Sequence, residues 1–256
     1  MLIATGTGIF VTKHLEDIGP LAIAVAIGVL GAACYVWVAL KSRAPLDDYV
    51  VVLGALLLSA DVAFVETQWH LLGNEWQRHF LIVAVMHAAA AYWFDSRAVL
   101  SLSITSLAAW LGIEQRSVFS GSAEMAVRAF ACAAAVGVWR AANHHKPFNG
   151  VLDQFIVNFA FWGGVILTFE EDTRWLGFIL SLLIGTVVLR TGFRQRREIF
   201  VMYSFVYTII AIDIVIVSAL DEEVLGAMYL MVSTVVAIVF MFVIHARFQK
   251  QRVAGA

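Results

Sequence analysis

Apolar residues fall in long runs along this chain, and short polar stretches separate the runs. A membrane helix needs about twenty apolar residues to cross roughly 30 Å of hydrocarbon, where it satisfies its own backbone hydrogen bonds. The pattern therefore predicts an all-α, polytopic transmembrane bundle of about nine helices. The predicted segments are Gly19 to Leu40, Tyr49 to Trp69, His79 to Phe94, Ala98 to Ile113, Ala123 to Arg140, Val151 to Phe169, Arg174 to Val188, Ile199 to Ala219 and Val224 to His245.

The third and fourth segments are the short ones, and two interpretations of them stay open. Each crosses the membrane, or together they form a re-entrant hairpin that returns to the side from which it came. The orientation of everything downstream is the same in both cases. The predicted organisation is a short extracytoplasmic segment at 1–18, a transmembrane domain at 19–245 and a cytoplasmic tail at 246–256.

Lys and Arg residues are divided unevenly between the two sets of alternating connections. One side has twelve, namely Lys41, Arg43, Arg97, Arg140, Lys146, Arg190, Arg194, Arg196, Arg197, Arg247, Lys250 and Arg252. The other side has five, namely Lys13, Arg78, Arg116, Arg128 and Arg174. The positive-inside rule places the richer side in the cytoplasm, so we expect the N-terminus outside and the C-terminus inside.

Composition supports a membrane protein and argues against several other classes. Apolar residues make up 61% and charged residues 14%, whereas soluble domains average about 45–50% and 25%. The net charge of −2 and the scattered basic residues do not suggest a nucleic-acid partner. Cys34 and Cys132 lie inside apolar segments and are predicted to be packing residues. The densest basic run, Arg194, Arg196 and Arg197, predicts contact with anionic lipid.

Four polar residues deep inside the predicted membrane segments are the most informative: Asp61, His87, Asn158 and Asp213. An ionised side chain at mid-bilayer costs about 2.5 to 3.5 kcal/mol on insertion scales, so each needs a partner, a proton or water. If they share one depth, they form a buried polar cluster. Such a cluster is either part of a proton or cation path, since a His beside a carboxylate titrates near neutral pH, or a hydrogen-bonded structural feature.

A second polar group is predicted near the outer surface. Glu66 and His70 are four residues apart on one helix, and His79 follows the next loop. Residues at this spacing share a helix face, and they favour an interfacial ion pair. The less favoured alternative is a metal site or a lipid-acting catalytic site at the outer face. No cofactor and no metal is predicted.

The stretch LGALLLSADVAFVETQWHLLG at Leu53 to Gly73, with AYWFDSRAVLSLSITSLAAWLG ending at Gly112, carries a resemblance to a known family. Its features are an aromatic-His-x-x-Gly helix exit and a Ser-Arg turn, here Trp69, His70, Gly73, Ser96 and Arg97. Over these roughly 60 residues the chain resembles the DUF2157 family of predicted bacterial membrane proteins. The resemblance implies a multi-pass bacterial membrane protein and no known activity. We expect the protein in the bacterial cytoplasmic (inner) membrane.

The sequence is consistent with three functions. The favoured one is a non-enzymatic membrane subunit or scaffold that assembles with other membrane proteins or with copies of itself. The second is a small transporter or channel that moves protons or cations past Asp61, His87 and Asp213. The third is an intramembrane enzyme that acts on lipid with Glu66 and neighbouring histidines.

Overall fold

The computed structural model describes residues 19–40, 46–71, 78–113, 123–220 and 222–254. Within these ranges the chain forms nine α-helices and one 3₁₀ turn at Lys146–Phe148. The helices are α1 (Pro20–Leu40), α2 (Asp47–Trp69), α3 (Arg78–Phe94), α4 (Arg97–Trp110), α5 (Ala123–Ala142), α6 (Asn149–Phe169), α7 (Arg174–Arg194), α8 (Glu198–Ala219) and α9 (Glu223–Ala254). The prediction of an all-α polytopic bundle is confirmed.

Seven of the described helices are long and apolar enough to cross a membrane. The other two are α3 with 17 residues and α4 with 14 residues. At 1.5 Å per residue these span about 26 and 21 Å, which is less than the roughly 30 Å of a hydrocarbon core. The sequence therefore identified the two short helices correctly, and the choice between full crossing and a re-entrant hairpin stays a prediction.

Several predicted features lie outside the described residues. They are the extracytoplasmic segment 1–18, Gly73 of the family resemblance, and the basic residues Lys13, Lys41, Arg43 and Arg116.

The described helices group into two compact units, Met1–Trp110 and Leu111–Ala256. In the first unit, α1 packs along α2, and α2 contacts both α3 and α4. Two glycines allow the close approach of α1 and α2. A Cβ atom at Gly31 would lie 2.9 Å from Leu58 Cγ, and one at Gly54 would lie 3.0 Å from Cys34 Cβ. Small residues at such crossings let helix backbones approach closely in membranes.

A tight turn joins α3 to α4 and fixes the hairpin that they form. Asp95 adopts a left-handed conformation with φ of 57°, and the Ser96 N–H donates to the Ala91 carbonyl at 3.0 Å. Ser96 also begins α4, because its Oγ accepts from the Val99 N–H at 3.3 Å. The same hydroxyl donates to Asp48 at the start of α2. This buried serine therefore caps one helix and ties the hairpin to another.

In the second unit, successive helices from α5 to α9 pack against each other, and α8 also contacts α6. Short connections make neighbouring helices antiparallel. The C-terminal ends of α5, α7 and α9 therefore lie at the same end of the unit as the N-terminal ends of α6 and α8. Aromatic and aliphatic side chains fill the interior, for example in the cluster of Phe161, Val188 and Phe200.

Two helices in this unit extend well beyond their predicted ends. α7 continues to Arg194, past the predicted end at Val188, and α9 continues to Ala254, past His245. Hydropathy detects only the part of a helix that lies in lipid, whereas backbone hydrogen bonding continues until a residue leaves helical geometry. The predicted boundaries therefore marked the apolar part of each helix and missed its polar end.

Candidate functional site

Asp61 of α2 faces α1 at the position of Gly28. A Cβ atom at Gly28 would lie 3.0 Å from Asp61 Oδ2, so the glycine provides the space that the carboxylate occupies. Asp61 Oδ1 is buried and has no hydrogen-bond partner among the described residues. A buried carboxylate oxygen without a donor is energetically costly, and inside a membrane it marks a functional candidate.

His87 of α3 packs against a different part of α2. Its Nε2 lies 2.8 Å from Ser59 Oγ and 3.1 Å from the Ala55 carbonyl oxygen, and the Ser59 hydroxyl donates to the same carbonyl at 2.9 Å. Because a carbonyl only accepts, the geometry fits a ring that carries a proton on Nε2. Nδ1 is buried and has no hydrogen-bond partner among the described residues.

Asp61 and His87 belong to the same unit, but no hydrogen bond joins them among the described residues. Asp61 follows Ser59 by two positions, which is roughly 200° around the helix. The carboxylate therefore points toward α1, whereas the imidazole contacts the side of α2 that faces α3. His87 also lines an apolar pocket of about 370 Å³ together with Tyr35 and Leu58. The two residues thus have separate surroundings within the unit.

Asn158 of α6 belongs to a satisfied chain of hydrogen bonds in the second unit. Its Nδ2 donates to the Gln154 carbonyl at 2.8 Å, and its Oδ1 accepts from Tyr207 Oη at 2.7 Å. Tyr207 Oη accepts in turn from Trp162 Nε1 at 2.9 Å. The chain connects α6 to α8, and every member has a partner. Such a network stabilises helix packing and positions the aromatic rings.

Asp213 of α8 connects this helix to α9. Its Oδ1 accepts from Tyr229 Oη at 2.9 Å and from Ser233 Oγ at 2.8 Å. Tyr229 and Ser233 are four residues apart, so they lie on one face of α9. Asn158 and Asp213 are thus in two separate hydrogen-bonded networks. The sequence identified both polar residues but not the hydroxyl groups that satisfy them.

The predicted outer-face group lies around the end of α2. The helix ends at Trp69, and His70 adopts a left-handed conformation with φ of 48°. The His70 N–H still donates to the Glu66 carbonyl at 2.8 Å, and a pair between the two side chains stays a prediction. Glu66 and His79 are both buried. Among the described residues, no three His, Cys, Asp or Glu side chains form a group that could hold a metal ion.

An ion-paired cluster that sequence reasoning missed lies at the basic end of the second unit. Asp153 Oδ1 lies 2.9 Å from Arg140 Nε, and Asp153 Oδ2 lies 2.8 Å from Arg197 Nη1. One carboxylate of α6 thereby connects the end of α5 to the residue before α8. Arg197 is held in this ion pair. It therefore differs from Arg194 and Arg196, the other two members of the basic run that was predicted to contact anionic lipid.

A second missed contact joins α8 and α9 at the same end. Glu198 Oε1 contacts His245 Nδ1, and Gln249 Nε2 contacts His245 Nε2 at 2.9 Å. The sequence placed His245 only as the last residue of an apolar segment. Its i, i+4 relation to Gln249 was visible in the sequence, but the partner on α8 depends on how the two helices pack.

Comparison of the chain with protein-family models, with curated proteins and with solved structures finds no match in any of the three. The resemblance to the DUF2157 family therefore stays a prediction. What the described residues establish is a multi-pass, all-helical membrane protein with buried polar groups in both of its units.

Proposed function

We propose that this chain is a non-enzymatic subunit or scaffold that assembles with other membrane proteins or with copies of itself. The observation that carries the proposal is the exposure of α9. Only 6% of its membrane segment is buried, against 22–39% for the other four long helices of its unit. The helix therefore offers an extended apolar surface within the membrane.

The packing of α9 supports this role because one narrow stripe attaches it to α8. The more buried positions recur at helical spacing, and they are Gly226, Tyr229, Ser233, Ala237, Met241, Ile244 and Phe248. The hydroxyl groups of the stripe bind Asp213, which fixes the rotation of α9 about its axis. The opposite face is therefore presented in a defined orientation, and helix association in membranes depends on van der Waals packing of such faces.

Site-specific photo-crosslinking in native membranes tests the proposal. A photoreactive phenylalanine analogue at Met231, which is 72% exposed on α9, is expected to form adducts with protein. The matched control is Val187 on α7, which is 65% exposed and apolar but lies on another helix. Lipid adducts alone at both positions, together with recovery of a lone monomer by native mass spectrometry, would contradict an assembly role.

A small proton or cation transporter remains the second candidate, and Asp61 is the observation that favours it. Its buried, unpartnered oxygen resembles a group that binds a proton or a cation in turn. Asp213 is a weaker member of such a path, because the two hydroxyl groups on α9 already satisfy its carboxylate. Among the described residues, no observation favours the lipid-acting enzyme.

Ion flux into liposomes distinguishes the two candidates. A transporter predicts that Asp61→Asn and His87→Ala each reduce proton or cation flux at least tenfold. Glu124→Gln is the control, because it changes an exposed carboxylate that is paired with Arg128 and lies outside the proposed path. Equal flux in wild type and in both test variants would remove Asp61 and His87 from any transport mechanism.

The location and orientation belong to the same proposal. We place the protein in the cytoplasmic membrane of a bacterium, with the basic ends of the helices inside and the N-terminus outside. The distribution of Lys and Arg supports this orientation. Within the second unit, the helix ends that carry Arg140, Arg194 and Arg247 lie together, as the orientation requires. Membership in the DUF2157 family is proposed only from the motif around Trp69 and the turn at Ser96.

A further inference from the structure

A large cavity in the described part of the second unit lies among α7, α8 and α9. Its volume is about 1010 Å³, at the upper end of the roughly 300–1,000 Å³ that ligand pockets occupy. Phe205 and Phe240 pack together in its wall, with ring centroids 4.3 Å apart. Ile209 and Ile212 extend the apolar lining along α8. This wall is suited to a hydrocarbon chain.

Two arginines give one end of the cavity a positive charge. Arg196 lies in the turn after α7, and Arg247 lies in the last part of α9. Both are exposed, and neither has an ion pair within the described residues. Arg197 is different because Asp153 holds it. The cavity therefore combines a long apolar wall with two uncommitted guanidinium groups at one end.

The backbone at Arg196 explains how its side chain comes to lie at this end. Arg196 has φ of 52°, and the Arg197 N–H donates to the Gly192 carbonyl at 2.9 Å while the Arg196 N–H donates to the Phe193 carbonyl at 3.3 Å. This is a Schellman motif with Arg196 at the left-handed position, where glycine is the usual residue. The chain thus places an arginine where the backbone favours glycine, and the guanidinium lines the cavity.

The polar groups in the cavity wall are too few to favour a polar ligand. The Ser204 hydroxyl already donates to the Gly185 carbonyl at 2.7 Å, so its proton is not available to a ligand. Thr208 contributes one further hydroxyl. A sugar or a peptide would need many more donors and acceptors, because buried polar groups without partners are costly. A molecule with one anionic end and an apolar body matches the lining.

We propose that this cavity binds one anionic phospholipid. The phosphate lies between Arg196 and Arg247, and an acyl chain runs along Phe205 and Phe240 between the helices. Charge complementarity selects the headgroup, since Arg binds phosphate through paired N–H donors. The inference goes beyond an assembly role and does not depend on it. In the proposed orientation the site opens at the cytoplasmic leaflet, where anionic lipids attract basic residues.

Lipid titration of the purified full chain by native mass spectrometry tests this site. The probe is phosphatidylglycerol, and phosphatidylcholine with the same acyl chains is the headgroup control. Glycerol phosphate without acyl chains is the third arm. We expect stronger retention of phosphatidylglycerol than of either control, because only its headgroup is both anionic overall and attached to acyl chains. Equal retention of both lipids, or tight binding of glycerol phosphate, would overturn the proposal in favour of unspecific lipid contact or a free phosphate ligand.

Three test substitutions and one control distinguish binding of the lipid headgroup from binding of the acyl chain in the cavity. Arg196→Gly removes the guanidinium and suits the left-handed backbone, so the turn is retained. It and Arg247→Gln are each expected to raise the Kd for phosphatidylglycerol about fivefold. Arg194→Gln is the matched control, because it removes a neighbouring exposed charge outside the cavity lining. Equal weakening by Arg194→Gln would show a diffuse surface effect and overturn the site.

The third substitution, Ile209→Trp, fills the cavity and leaves both arginines in place. It is expected to abolish the preference for phosphatidylglycerol, while circular dichroism shows unchanged helix content. A variant that remains helical and retains the lipid as wild type does would show that the lipid binds outside the cavity. If this variant fails to fold, the Arg196→Gly and Arg194→Gln pair still decides between a defined site and surface attraction.

Discussion

Gly177 of α7 lies where this helix crosses α6 at backbone distance. A Cβ atom at Gly177 would lie 2.6 Å from the Leu167 carbonyl carbon and 2.7 Å from the Gly164 carbonyl oxygen. Both atoms belong to the backbone, so no side chain can rotate away to relieve the contact. The substitution Gly177→Ala must therefore separate α6 from α7 or distort one of them.

The expected cost follows from what surrounds the added methyl group. Overpacking a well-packed site costs about 1 to 3 kcal/mol, and a backbone obstacle places this variant in the upper part, at about 2 to 3 kcal/mol. Gly137→Ala on α5 is the matched control, because a Cβ atom there meets nothing within 4 Å. In an open helix position alanine is more stable than glycine by about 0.5 to 1 kcal/mol. The same chemical change should thus have opposite signs at the two sites.

Thermal unfolding in detergent micelles, followed by far-ultraviolet circular dichroism, measures the difference. For a protein of this size the cost at Gly177 corresponds to a fall of roughly 4 to 12 °C in the midpoint. Gly137→Ala should leave the midpoint unchanged or raise it slightly. A Gly177→Ala variant as stable as wild type would refute the close crossing of α6 and α7, and so would an equal loss at both sites.

Three further outcomes are expected. Asp153→Asn removes the carboxylate that two arginines share, and it should lower the free energy of unfolding by about 1 to 3 kcal/mol in the same assay. An unchanged free energy of unfolding would mean that the two ion pairs contribute nothing to stability. Tyr207→Phe leaves Asn158 and Trp162 without their shared hydroxyl, so we expect a similar loss in the free energy of unfolding and an altered tryptophan emission spectrum. An unchanged spectrum would argue against the hydrogen bond from Trp162. A fluorescent protein fused to the C-terminus should be bright and a periplasmic phosphatase fused there inactive, and the reverse result would invert the proposed orientation.

The fold was largely predictable because its main requirement is local. A long apolar run such as α1 or α8 can only be a helix in lipid, whatever its neighbours are. The polar ends of α7 and α9 were missed, because residues beyond the hydrocarbon follow backbone geometry and no longer show the apolar signal. The helix exit at Trp69 and His70 was predicted, but the left-handed conformation of His70 was not, because no glycine at this position indicates it.

The sequence predicted which residues belong to the candidate sites, but it did not predict which residues they contact. Asp61 and Asp213 were identified because a carboxylate in an apolar run is unusual. The sequence did not predict the different surroundings of the two carboxylates, because Asp61 faces Gly28 whereas Asp213 accepts a hydrogen bond from Tyr229. Which residues meet depends on the rotation and depth of each helix, and these are set by packing between helices. The pairing of Asp153 with Arg197 across 44 positions is of the same kind.

The sequence by itself determined that this protein is helical and membrane-embedded, which residues are polar within its apolar segments, and which helix ends are basic. Those properties follow from transfer of each segment into lipid, which depends on composition alone. Only the tertiary structure decided which polar groups are satisfied and which are not. It bonded Asp213 to α9, left one oxygen of Asp61 without a donor, and brought Arg196 and Arg247 to one cavity. Contacts between helices require the geometry of two surfaces at once, and no single segment carries that information.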